Sequence, residues 1–127
     1  MADLSLRHIT KRYPNGYTAV NDFNLEVKNG EFVILTGKKG CGKSTVLRMI
    51  AGAEDVTSGE IELDGKIINE MKPQNREIAM VFQYYKLYPR MTVYDNLAFG
   101  LRLRKVSEEQ IEADVKETAD LLGLEEL

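Results

Sequence analysis

The residues with the clearest chemical content form one run, Gly37-Lys38-Lys39-Gly40-Cys41-Gly42-Lys43-Ser44, which fits the pattern G-x-x-x-x-G-K-[ST]. Glycines 37, 40 and 42 let the backbone curl so that successive N–H groups point inward and make an anion nest. A helix starting near Lys43 adds its positive dipole end and its free amides. Lys43 can reach the β- and γ-phosphates of a nucleotide, and the Ser44 hydroxyl can join a Mg²⁺ shell. The chemistry is phosphate binding. A glycine turn beside a solvated lysine surface is the plainer alternative, and the flanking elements argue against it.

Those elements can be read from pattern. Phe32-Val33-Ile34-Leu35 is a continuous apolar run, as in strands buried on both faces of a parallel sheet. From Ser44 to Ala51, the residues Val46, Leu47 and Ile50 fall at helical spacing, and Gly52 stops the helix. Upstream, residues 3–9 alternate apolar and polar as a half-buried strand. After the turn signal Tyr13-Pro14-Asn15-Gly16, a second alternating stretch ends at Phe23-Asn24-Leu25-Glu26-Val27. Downstream, residues 58–63 read as a strand running into a turn at Asp64-Gly65, and residues 67–75 as polar loop with Pro73. Ile78-Ala79-Met80-Val81-Phe82 reads as another short buried strand, and Tyr84 to Pro89 as no regular element. Thr92 with Asp95, and Ser107 with Gln110, have capping-box spacing and open two helices. The first runs to about Leu101; the second carries the apolar stripe Ile111, Val115, Thr118-Ala119 and Leu122. No repeat or interdomain linker interrupts the pattern. One α/β domain is expected over residues 1–127.

Composition agrees with a packed domain. Leu, Ile, Val and Phe make up about 28% of the 127 residues, above the roughly 20% below which disorder is the default. Cys41 is the one cysteine, so neither an intramolecular disulfide nor a paired-cysteine zinc site can form. No apolar run approaches the roughly 18 residues of a membrane span, and the N-terminus lacks a secretory pattern. Direct membrane insertion is not expected, and a cytoplasmic setting is. Residues 1–106 carry a net charge of +4 and residues 107–127 one of −7. So weak a basic body, opposed by an acidic tail, does not suit nucleic acid. The tail reads as a solvated helix face.

Set together, these residues resemble the ATP-binding subunit of ABC transporters, over essentially the whole chain. Gly40-Cys41-Gly42-Lys43-Ser44-Thr45-Val46-Leu47-Arg48-Met49-Ile50-Ala51-Gly52 resembles that family's Walker A segment and helix. Val81-Phe82-Gln83 resembles its Q-loop, which implies that Gln83 reaches Mg²⁺ and the region of the attacking water. Tyr13 stands where the family places an aromatic residue that stacks on adenine. The run Tyr85-Lys86-Leu87-Tyr88-Pro89-Arg90-Met91-Thr92-Val93, with Asn96 and Phe99-Gly100-Leu101, is similar to the ATPase subunits of sugar and glycerol-phosphate importers. There this stretch receives a helix of the membrane permease.

The resemblance implies a P-loop NTPase-type half-domain: mostly parallel core strands, an antiparallel N-terminal β region, and helices. It implies ATP and Mg²⁺ as cofactors, ATP or ADP held by Tyr13, Lys39, Gly40, Cys41, Gly42, Lys43, Ser44 and Thr45, and metal contact through Ser44 and Gln83. A permease, or the remainder of an ABC domain, is the implied partner, which would bring the chain to the inner face of a membrane. Departures from the pattern are Lys38-Lys39 in place of Pro-Ser, Thr36 in place of an aliphatic residue, and Tyr84, Lys86 and Arg90 in the permease-facing run. The family's signature segment, Walker B strand and switch histidine have no counterpart here. His8 lies far upstream, and no aliphatic strand after Phe82 ends in Asp-Glu. Mg-nucleotide binding without efficient turnover is expected, with self-association through an unpaired sheet edge. A P-loop scaffold acting as an interaction module is the alternative. In that reading the added lysines and tyrosines serve a partner. Tyr84, Tyr85 and Tyr88 read as partner-contact or core residues and not as a stacking platform for nucleic acid. Taken alone, Gln83 reads as a surface amide and Cys41 as a small loop residue beside the phosphates.

Overall fold

A computed structural model describes residues 2–84 and 87–124. They fall into two compact units, Met1–Met80 and Val81–Leu127. Tyr85 and Lys86, which carry part of the family resemblance, lie outside the described residues.

The first unit is built on an antiparallel sheet. Strand β1 (Leu4–Arg12) pairs with β2 (Thr18–Val27) on one side and β3 (Ser58–Leu63) on the other. A short β4 (Lys66–Ile67) extends β3, giving the order β2-β1-β3-β4. The register of β1 shifts between Leu6 and Ile9, where His8 has φ 52°. Such a bulge breaks the two-residue alternation, so Leu6 and Ile9, three apart, both enter the core. Helix α1 (Lys43–Ala51) adds Val46 and Met49, which join Val20, Ile61 and Ile68 in one apolar cluster. Met49 and Ile61 are fully buried, and truncating either to alanine should cost about 2–5 kcal/mol.

The expected polar loop over residues 67–75 needs correcting. Ile67 ends β4, Ile68 is a core residue, and Pro73–Asn75 form a short 3-10 helix. Arg76 beyond it is only 4% exposed. Its guanidinium donates to the carbonyls of Met71, Met49, Ile50 and Asn69 at 2.8, 2.7, 3.0 and 3.0 Å. Met49 and Ile50 lie in the last turn of α1, where carbonyls have no helical partner. Burial pulls the Arg76 pKa down, with the charge of Asp55 opposing.

Two expected parallel strands are not formed. Phe32–Leu35 and Ile78–Phe82 carry no regular structure among the described residues. A strand exists through a neighbour about 4.8 Å away, and no described residue pairs with either segment. Leu35 and Ile78 pack partly on the core, while Phe32, Ile34 and Val81 are 89%, 69% and 81% exposed. The apolar run signalled surface to be buried; it did not supply the cover.

The second unit holds helices α2 (Val93–Leu103) and α3 (Glu108–Leu122). Thr92 caps α2: its hydroxyl accepts from the Asp95 amide at 3.0 Å and donates to the Asp95 carboxylate at 2.8 Å. Ser107 accepts from the Gln110 amide at 3.4 Å, but the Gln110 side chain turns to Asp114 at 2.6 Å, so this second box stays open. Ala98, Ile111 and Val115 are buried together, whereas Leu122 is exposed and the stripe stops short of it. No described helix is long and apolar enough to cross a membrane.

Candidate functional site

The loop from Gly37 to Gly42 delivers the chain into α1. Gly42 is the N-cap residue, with φ 96°, and a Cβ there would stand 2.5 Å from the Ala19 carbonyl oxygen. Only glycine permits both the backbone angle and the close approach of β2. No side chain caps the helix. The first-turn amides, which have no acceptor within the helix, are therefore available to a ligand.

Lys43 lies back over its own loop. Its Nζ donates to the carbonyls of Gly37 and Lys38, each at 2.8 Å, and stands 3.5 Å from the Cys41 Sγ. An ammonium has three N–H donors. All three are spent on the loop, the weakest on the sulfur, which holds the charge in place.

The structure brings Tyr13, Gly40, Gly42, Lys43, Ser44 and Thr45 around one hollow of about 280 Å³. Cys41 instead lines an adjoining hollow of about 220 Å³ with Thr36, Gly42, Lys43 and Val46. Lys39 is exposed and lines neither. Gln83 sits in a bend of the second unit and is exposed. Lys11, 9% exposed, places its Nζ 5.2 Å from the centre of the Tyr13 ring. That ammonium is fixed by Glu54 at 2.9 Å and the Asp55 carbonyl at 2.7 Å.

Three residues that line the hollow were not singled out from the sequence: Tyr17, Ala19 and Arg48. Arg48 donates to the Thr45 hydroxyl at 3.4 Å and lies 3.9 Å from Glu54, so a second cation borders the cradle. Its signal was available, one helical turn beyond Thr45. Tyr17 could have been found as the far leg of the Tyr13-Pro14-Asn15-Gly16 turn. The donor set is uncapped amides, an ammonium held at the loop and small hydroxyls beside an aromatic ring. It suits a phosphate-bearing ligand with a flat base.

Comparison with known proteins places the chain among others of this build. A family model described as ABC transporter matches residues 20–127. The multiple sugar-binding transport ATP-binding protein MsmK of Streptococcus mutans is 56% identical, over 99% of this chain and 34% of its own length. The sn-glycerol-3-phosphate import ATP-binding protein UgpC of Psychromonas ingrahamii is 52% identical, over 100% of this chain and 34% of its own. The chain thus spans about a third of the length of the curated relatives it matches. A solved structure, the ATP-binding cassette MJ0796 in a dimeric post-hydrolysis state bound to ADP and Pi, superposes with a TM-score of 0.84 at 31% identity. The match covers 97% of this chain and 58% of that one. The fold is that of a P-loop NTPase, with the antiparallel N-terminal sheet and helices of a half-domain.

Proposed function

The chain belongs to the ABC transporter family, and on that premise we propose that it is the ATP-binding portion of an importer ATPase. All 127 residues are read as part of one such domain. Mg-nucleotide is held with its phosphates in the Gly37–Thr45 loop and its base on Tyr13. The observation that carries this reading is the Lys43 ammonium, fixed on the Gly37 and Lys38 carbonyls beside the uncapped start of α1. Loop amides and the Lys43 ammonium neutralise the phosphate oxygens, Cys41 lies in the adjoining hollow, Lys39 acts only as an exposed cation of the same loop, and the Ser44 hydroxyl joins the Mg²⁺ shell. When bound, Mg²⁺ supplies further neutralisation of the phosphates. Gln83 is carried as a water- and Mg²⁺-positioning residue on its Val81-Phe82-Gln83 context alone.

By itself the chain binds without efficient turnover. Phosphoryl transfer requires positioned charge and an oriented water. Within these residues no aliphatic strand presents Asp-Glu, and His8 is engaged with Asp22 at 2.6 Å. Energising import of a solute requires a permease partner at the cytoplasmic face of a membrane, the role that the relatives' names suggest. A second reading, an interaction module, draws on the exposed apolar residues Phe32, Ile34 and Val81. These same residues favour self-association, or a partner that supplies missing strands.

Titration with Mg-ATP and Mg-ADP while following thermal unfolding separates the two readings. A nucleotide binder gains stability with ligand concentration as linkage requires. A melting temperature unmoved by millimolar nucleotide would leave only the interaction module.

A further inference from the structure

We propose that Tyr17 is a nucleotide-positioning residue, the second aromatic wall of the base-and-sugar subsite, tied to the phosphate loop through Gly40. The proposal rests on the nucleotide-binding reading above and adds a residue to its site.

The argument begins with the turn. The Tyr13 carbonyl accepts from the Gly16 amide at 2.9 Å, closing a four-residue turn with Pro14 and Gly16 at positions such turns favour. The Tyr13 amide then donates to the Tyr17 carbonyl at 2.8 Å. The Asn15 side chain accepts from the Tyr17 amide at 3.0 Å, and Gly16 takes φ 84°, which its lack of a Cβ makes easy. Both tyrosines are thereby fixed to one short, internally bonded loop. Their rings lie nearly parallel, 10° apart in plane, with centres separated by 6.3 Å.

Tyr17 also reaches the other half of the site. Its hydroxyl donates to the Gly40 carbonyl over a long 3.5 Å, while its ring stays about half exposed on the hollow. One side chain therefore runs from the aromatic pair to the rim of the phosphate cradle. Tyr13, Tyr17 and Lys43 line the same hollow, so a nucleotide laid from Tyr13 to Lys43 passes beside the Tyr17 ring.

Calorimetry on the full chain with two probes, Mg-ATP and Mg-tripolyphosphate, tests the assignment. Tyr17→Ala should weaken ATP on the order of tenfold, as expected for losing one base–aromatic stack, and leave tripolyphosphate unchanged. Tyr17→Phe, which keeps the ring, should stay within about threefold of the parent for ATP. Lys43→Ala, run alongside, should weaken both probes. Equal loss of both probes in Tyr17→Ala, no loss, or tighter ATP binding would each overturn the role of Tyr17 while leaving phosphate binding intact. Failure of the parent chain to bind either probe would overturn both.

Discussion

The Arg76 Nη1 donates to the carbonyl oxygen of Met49 over 2.7 Å, clasping the end of α1 to the segment after the 3-10 helix. The same guanidinium serves Ile50, Asn69 and Met71, so its loss orphans several acceptors at once. Arg76→Met should lower the unfolding free energy by on the order of 3 kcal/mol. Arg76→Lys should do nearly the same, because an ammonium cannot present a planar fork. Urea unfolding with an unchanged slope is the measurement. A loss below about 0.5 kcal/mol would mean that water takes the guanidinium's place.

Removing the Lys43 ammonium should cost nucleotide affinity on the order of 2 kcal/mol or more, the worth of a charge-assisted phosphate contact. Calorimetry of Lys43→Ala against the parent gives the number. Equal ATP affinity in the two would sink the phosphate-loop assignment.

Turnover should sit at background. A steady-state phosphate-release assay is expected to read the same for the parent and for Lys43→Ala. Turnover present in the parent and lost in the variant would contradict the proposal of binding without hydrolysis.

How far the sequence carried the reading depended on whether a signal was local. The Gly42-Lys43 junction, the Thr92 cap and the Asp64-Gly65 turn are decided within a few residues by backbone chemistry, and each stands where it was expected. Arg76 and Ile68 owe their places to residues distant in the chain, which no window reveals; Tyr17 is placed by its own turn, and only its contact with Gly40 comes from another loop. Phe32–Leu35 and Ile78–Phe82 failed for the opposite reason. Their apolar runs were read as buried strands, but strand formation belongs to a pair of segments and not to one, and Phe32, Ile34 and Val81 stay exposed.

That exposed surface gives a prediction about assembly. Phe32 and Ile34 are 89% and 69% exposed two residues apart, and exposed apolar side chains next to unpaired backbone invite association. Sedimentation at micromolar concentration should find self-association, and Phe32→Ser with Ile34→Ser should shift the distribution toward monomer. A parent chain that is monomeric and unfolds cooperatively would refute it.

Asp95 gives a pH test confined to α2. Its bond from Arg102 at 2.7 Å, then that from the Thr92 hydroxyl, hold its carboxyl below the ordinary range. Stability from a depressed carboxylate is complete above the unfolded value of about 3.9 and fades as pH falls through the folded one. Asp95→Asn should therefore melt lower than the parent at pH 7, with the gap closing below about pH 4. A gap that is the same at pH 7 and pH 3 would assign the effect to shape and not to charge.

Strand β1 is bonded on both edges, to β2 and to β3, and Tyr13 follows its last residue directly. Amides inside such a strand exchange with solvent only when the sheet itself opens, whereas the Gly16 amide, closed by a single turn bond, can exchange through local opening. The ring that would meet a base thus stands where the sheet ends, with its own amide bonded across the turn to the Tyr17 carbonyl. Whatever opens β1 releases that ring, so nucleotide binding and the last-opening part of the unit share one anchor.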